Sequence, residues 1–238
     1  MQVGSSSIAA STSLRLSLKR GMAKQAIELA SKTSPNLLPV FRVSAALRPN
    51  AKHLERVARR IQQQTGICRV AYARGRTGIN FTARMARPID LQMDGQVAFR
   101  EIGLIYLRVK VCWRRASVGF GLDAVSFCQH AIERLVERSS LPLDDKLLAH
   151  LDSEAQAIFI GTDEKNRIID AEDEFHPASH SGLWAGGQDA MQIDPAWGLS
   201  ANDKPDFPIF SVRTFLSEAQ MRPTVWLRWK NNPTCQME

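Results

Sequence analysis

Apolar and polar residues recur along this chain with two different periods, helical just before Gly66, strand-like from there to about residue 122, and helical again from Val125. Leu54, Val57, Ala58 and Ile61 fall at i, i+3, i+4 and i+7, one stripe of a helix. Asn50 suits the N-cap and Gly66 the position beyond the end, so a helix is predicted between them. Residues 67–73 and 77–84 are β-compatible, with Arg74-Gly75-Arg76 as the turn of a hairpin. In 102–113, Ile105, Leu107, Val109, Val111 and Trp113 share one parity, and Tyr106, Arg108, Lys110 and Cys112 share the other. That alternation predicts a strand with one buried face and one partly basic face. Residues 117–122 are its expected partner, with Gly119 and Gly121 allowing a bulge.

From Val125 the pattern becomes helical and acidic, predicting helices over 126–139 and 143–157 joined through Ser139-Ser140-Leu141-Pro142. Short strands are expected near 157–161, 166–170, 182–185 and 207–214, then a helical turn at 215–221 and a strand at 224–230. Residues 163–174 have the polarity of an exposed hairpin, and the glycine-rich 182–188 reads as a turn or flexible edge. Trp226 and Trp229 are expected in a core or an interface. Residues 1–34 are Ser-rich and basic, the composition of a mobile arm with a short helix near 23–31, shared by organellar transit peptides. The expectation is an α+β fold in three parts. A mobile basic arm spans 1–34, a basic helix-plus-antiparallel-strand part 35–122, and an acidic part with two helices and short antiparallel strands 123–238.

The chain has 238 residues, 44% of them apolar and 23% charged, the balance of an ordinary folded protein. No apolar run approaches the roughly 20 residues of a membrane-spanning helix. Its four cysteines, Cys68, Cys112, Cys128 and Cys235, form no C-x-x-C pair, which fits a reducing compartment, the cytoplasm, better than a disulfide framework. The formal charge of +7 hides an asymmetry, because residues 1–122 carry 21 Lys and Arg against 5 Asp and Glu, and residues 123–238 carry 10 against 19. So basic a half points to a polyanion partner, nucleic acid, with RNA ahead of DNA. The alternative is that the basic half docks on the acidic half, within one chain or by self-association; the acidic half also offers a face to a protein partner. Candidate nucleic-acid contacts are Lys52, Arg56 and Arg59 opposite the apolar stripe, Arg74 and Arg76 in the turn, and Arg108 and Lys110 on the strand. Each could equally be a solvated surface cation.

Residues 126–138 carry the densest chemistry. Cys128, Ile132, Leu135 and Val136 form the apolar stripe, while His130 and Arg134, at i and i+4, can address one ligand. A proton-transfer imidazole beside an arginine that stabilises phosphate charge is a ribonuclease pair; a salt-bridged solvated helix face is the alternative. His176 and His180 are four apart, but Pro177 and Ser181-Gly182 argue for a loop rather than a metal-binding helix, so no metal is expected. His180 is a candidate second proton-transfer group. No phosphate-binding glycine loop, dinucleotide fingerprint or nucleophile elbow is present, and no cofactor is expected.

The pattern His-Ala-x-x-Arg-x-x-x-Arg beginning at His130, then a second helix and short strands, resembles the toxin-like ribonucleases grouped around RelE and EndoU over about residues 123–216. Similar helix starts occur in uncharacterised phage and mobile-element proteins. The resemblance implies helices on a compact antiparallel sheet and metal-independent RNA cleavage by His130 and Arg134, with Arg213 or Thr214 on a late strand. The resulting expectation is a nucleic-acid-directed protein of a mobile-element or defence system, either a ribonuclease or a non-catalytic nucleic-acid-binding or inhibitor protein.

Overall fold

A computed structural model describes residues 4–46, 50–72, 78–93, 96–113, 117–144, 146–171, 173–199 and 206–232. Helices α1 (Gly4–Lys32), α2 (Leu37–Ala46) and α3 (Ala51–Gln62) precede an antiparallel meander of β1 (Ile67–Tyr72), β2 (Gly78–Met93), β3 (Gln96–Trp113) and β4 (Val118–Phe127). Helices α4 (Gln129–Arg138) and α5 (Leu147–Asp163) lead to a second meander, β5 (Ile168–Asp170), β6 (Asp173–Ala178), β7 (Gly182–Gln192) and β8 (Asp206–Ser217), and α6 (Pro223–Lys230) follows. The two meanders form one eight-stranded sheet, joined where Ala124–Phe127 of β4 run parallel to Ile209–Val212 of β8. The fold is α+β, and among the described residues no helix is long and apolar enough to cross a membrane.

Alternation on the central strands works on both faces because both are covered. Leu104, Tyr106, Val125 and Phe127 point toward α1, α4 and α5, packing with Ile132, Leu135, Leu151 and Trp184. Ile105, Leu107, Val109 and Val111 point the other way, onto α2 and α3, with Phe41, Val57 and Ile61. Farther along the sheet, α6 sets Val225 and Trp229 against Phe175 and Leu183. At roughly 1.5–3 kcal/mol for each large apolar side chain removed from water, these layers supply the main driving force for folding.

The early expectations meet the structure well. Asn50 caps α3 by accepting from the His53 amide at 2.9 Å, but the helix ends at Gln62 with Gln63 as its C-cap, and Gly66, expected just past the end, takes φ +76° three residues later as the chain turns into β1. β1–β2 and β3–β4 pair as predicted, and α4 buries Cys128, Ile132, Leu135 and Val136. The N-terminal arm differs. It is a 29-residue helix whose Ala23, Ala26, Ile27 and Ala30 are buried in the core against α4 and α5. Alanine at i, i+3 and i+7 allows a close helix approach that a reading based on large apolar residues misses.

The boundary placed at 122–123 falls inside β4, where composition changes but the hydrogen-bond ladder does not. The strand expected at 157–161 belongs to α5, and the one at 224–230 is α6, started by Pro223 in its first turn. The expected edge at 182–188 is part of the long internal strand β7, with Trp184 fully buried.

Arg108 ties these layers together. Its side chain, 10% exposed, lies against the Phe159 ring, 4.5 Å from the centroid, and is held by Asp123 of β4 and by Asp163 of α5 at 2.6 and 2.9 Å. Burial pushes the Asp163 carboxyl up, but the bonds from Arg108 outweigh this and hold it below its usual range. Removing the shared cation leaves two carboxylates at the α5–sheet seam with Lys110, at 3.8 and 3.6 Å, as the more distant remaining cation. Arg108→Ala is expected to lower unfolding free energy by about 2–4 kcal/mol in urea denaturation, whereas Arg56→Ala on exposed α3 stays within about 0.5 kcal/mol.

Candidate functional site

The α3 stripe Leu54, Val57, Ala58 and Ile61 is buried, which turns Lys52, Arg56, Arg59 and Arg60 outward, all exposed. Arg59 pairs with Glu55 at 2.7 Å, while Lys52, Arg56 and Arg60 have no ion-pair partner among the described residues. Several other cations of the basic half are taken up by acids of the second half. Lys19 meets Glu137 at 2.9 Å, Arg84 meets Asp152 at 2.5 Å and Arg87 meets Asp194 at 2.5 Å. Arg108 and Lys110, expected as nucleic-acid contacts, face Asp123 and Asp163 instead, Lys110 at 3.8 and 3.6 Å. Arg108 is therefore withdrawn from any basic surface, because its guanidinium is both buried and saturated. Arg74 and Arg76 lie outside the described residues.

On α4, His130 is exposed and Arg134 donates from Nε to its Nε2 at 3.2 Å, so the pair comes together as its spacing predicts. Arg134 is also bound to Glu137 at 2.6 Å, which in turn accepts from Lys19 of α1. Burial raises the Glu137 carboxyl, but these two cations dominate and hold it low. Arg15 of α1 donates to the Val136 and Leu141 carbonyls at 3.0 and 2.8 Å, so α1 covers one flank of the His130 helix.

The side chains of the other candidate catalytic residues have different neighbours. His180 occupies the β6–β7 turn, its ring edge-on to His150 of α5 with centroids 5.2 Å apart. Arg213 and Thr214 line a pocket of about 340 Å³ to which α4 contributes no residue. The structure thus brings His130 to Arg134 and sets the Arg213 carbonyl 3.6 Å from Cys128 Sγ at the start of α4, while the Arg213 guanidinium turns toward Gly187.

The segment expected as a histidine loop is the β6–β7 hairpin. His176 is buried in β6, its Nε2 2.7 Å from Glu174, which also accepts from Arg167 and from Gln188, each at 3.0 Å. Among the described residues no three His, Cys, Asp or Glu side chains form a metal-binding group. Glu154 of α5, fully buried, accepts from the Ser179 amide and hydroxyl and from Trp184 Nε1 at 2.8 Å, fixing the hairpin to the helix layer.

Sequence reasoning also missed a bulge in β8. Ala185 pairs with Thr214 but Gly186 with Val212, so Arg213 is the extra residue, and such bulges re-aim a side chain. Its guanidinium lies over Gly187, where a β-carbon would come within 3.2 Å of it. The Gly186-Gly187 pair following Leu183-Trp184-Ala185 was the available signal.

Burial pushes the Glu174 carboxyl up, but hydrogen bonds from His176 and Gln188, with the charges around it, hold it down at about 2. Its folded pKa is therefore below the unfolded value, so its contribution to stability is complete above about pH 4.5 and is lost as pH falls toward 2. Denaturant unfolding between pH 5 and 2 is expected to show Glu174→Gln losing less stability on acidification than the parent, by roughly 3 kcal/mol at most. No family model, curated protein or solved structure matches this chain.

Proposed function

We propose that the protein binds nucleic acid, RNA ahead of DNA, through the outer face of α3, without itself reading sequence there. The observation that carries this is a contrast. Lys19, Arg84, Arg87 and Arg108 of the basic half are neutralised by acids of the second half, whereas Lys52, Arg56 and Arg60 stand exposed, close together on one helix, without an ion pair among the described residues. A row of cations at helical spacing suits a phosphate backbone, and such contacts position a nucleic acid without specifying its bases. A cytoplasmic setting fits Cys68, Cys112 and Cys128, which are all free thiols. The biological context that fits this reading is a mobile-element or defence system, as the helix beginning at His130 implies by resemblance.

A second reading, metal-independent ribonuclease, is favoured by one observation, the exposed His130 ring hydrogen-bonded to Arg134. In that mechanism His130 exchanges a proton with the ribose hydroxyl or leaving oxygen, and Arg134 stabilises charge on the phosphate. Neither His180, Arg213 nor Thr214 has a hydrogen bond to this pair among the described residues, and binding is therefore put ahead of cleavage.

End-labelled single-stranded RNA and duplex DNA, titrated at several salt concentrations, test both. Replacing Lys52, Arg56 and Arg59 together by Ala should weaken binding across sequences alike and reduce the magnitude of the log K against log salt slope by roughly 0.7–0.9 per lost contact. Thermal unfolding should change little, since all three point to solvent and alanine favours helix. An unchanged slope removes α3 as the interface. RNA cut by the parent protein in chelator, and left intact by His130→Ala, would put the ribonuclease reading first.

A further inference from the structure

We infer that the pocket beside the β8 bulge binds a small organic monocarboxylate, an apolar body carrying a single negative charge. The inference is independent of the α3 interface and of the His130 pair. The pocket's floor is apolar, with buried Phe175 and Val225 flanked by Leu216 and Ala185, and its volume of about 340 Å³ suits a small molecule.

Its rim offers donors. Arg222 is already committed, to Asp173 at 3.0 Å and Asp170 at 3.5 Å, and lies 5.9 Å from the centre of the Phe175 ring. Gln220 has its carbonyl oxygen engaged by the Ser217 amide and hydroxyl at 3.3 and 3.2 Å, which leaves its NH₂ as a donor toward the pocket. The Thr214 hydroxyl lies on the same rim, with no hydrogen-bond partner among the described residues.

Arg213 is the uncompensated charge. It has no ion pair among the described residues, and as the extra residue of the bulge it is turned out of the β7–β8 ladder. Gly187 leaves room beneath its guanidinium, and Gly186 lets the two backbones close to a distance at which a β-carbon would sit 2.2 Å from the Ser211 oxygen. A planar guanidinium fork matches a carboxylate in shape and charge. A phosphate monoester would bring up to two negative charges to that cation, beside Asp173 of the pocket lining and Asp170, which already share the single charge of Arg222.

The test titrates the full chain with benzoate and with 4-methylpentanoate by ligand-observed NMR, beside benzamide and inorganic phosphate. Saturable binding of at least one carboxylate is expected, with benzamide weaker than benzoate by about tenfold or more, the worth of a charge-assisted contact. Arg213→Gln should abolish that preference while leaving the melting curve unchanged, because the side chain is exposed. Ala185→Leu, which fills the apolar floor, should weaken both carboxylates; if that variant fails to fold, the Arg213→Gln result decides. The inference is overturned if neither carboxylate binds saturably, if Arg213→Gln binds them as the parent does, or if phosphate displaces them at equal concentration, which would mark a plain anion site.

Discussion

Two neighbouring strands that run parallel cannot be joined by a tight turn, and this protein places one such pair, β4 and β8, at the centre of its sheet. Everything between them in sequence has to cross over and return. The crossover contains α4, α5 and the strands β5 to β7, so the central pairing sets where the helix layer lies and where the second meander begins. Phe127, at the end of the paired stretch, shows the result. It is fully buried between Tyr106 of the first meander and Trp184 of the second, with ring centroids 5.8 and 4.9 Å away. The two halves, so different in charge, therefore share one ladder and one core.

The charge asymmetry becomes intelligible within that architecture. When α1 and α5 settle on the sheet, Lys19, Arg84 and Arg108 meet Glu137, Asp152 and Asp163 across the seam between halves. Opposite charges drawn from the two halves thus join α1 to α4 and α5 to the sheet, and each pair is partly sheltered from solvent, where charge pairing is worth more than on an open surface. Lys52, Arg56 and Arg60 have no ion pair among the described residues and lie on the outer face of α3, on the opposite side of the sheet from α4 and α5.

The α6 end of the sheet obeys a different constraint. Gly186 permits a close approach of β7 to β8 that no other residue could take, and the register slips by one residue at that point. The slip releases Arg213 from the alternation that governs the rest of β8. A local irregularity of backbone pairing, rather than a conspicuous cluster of polar residues, shapes the pocket rim.

Much of this was written in local pattern. The α3 stripe with its Asn50 cap, the two-sided alternation of Ile105 to Trp113 and the inward face of α4 follow from periodicity and capping alone, because each depends only on residues within a few positions of one another. The i, i+4 spacing likewise brought His130 to Arg134. What depended on distant partners was hidden. Arg108 looked like a surface cation until Asp163, 55 residues away, closed over it, and the alanines of α1 showed no stripe until α4 supplied the surface they fit. The glycines of β7 read as a turn because their role, admitting β8, exists only in the folded sheet. Sequence determines where a chain can form helix and strand; which charges remain free, and which residues share a cavity, is decided by packing between segments far apart along it.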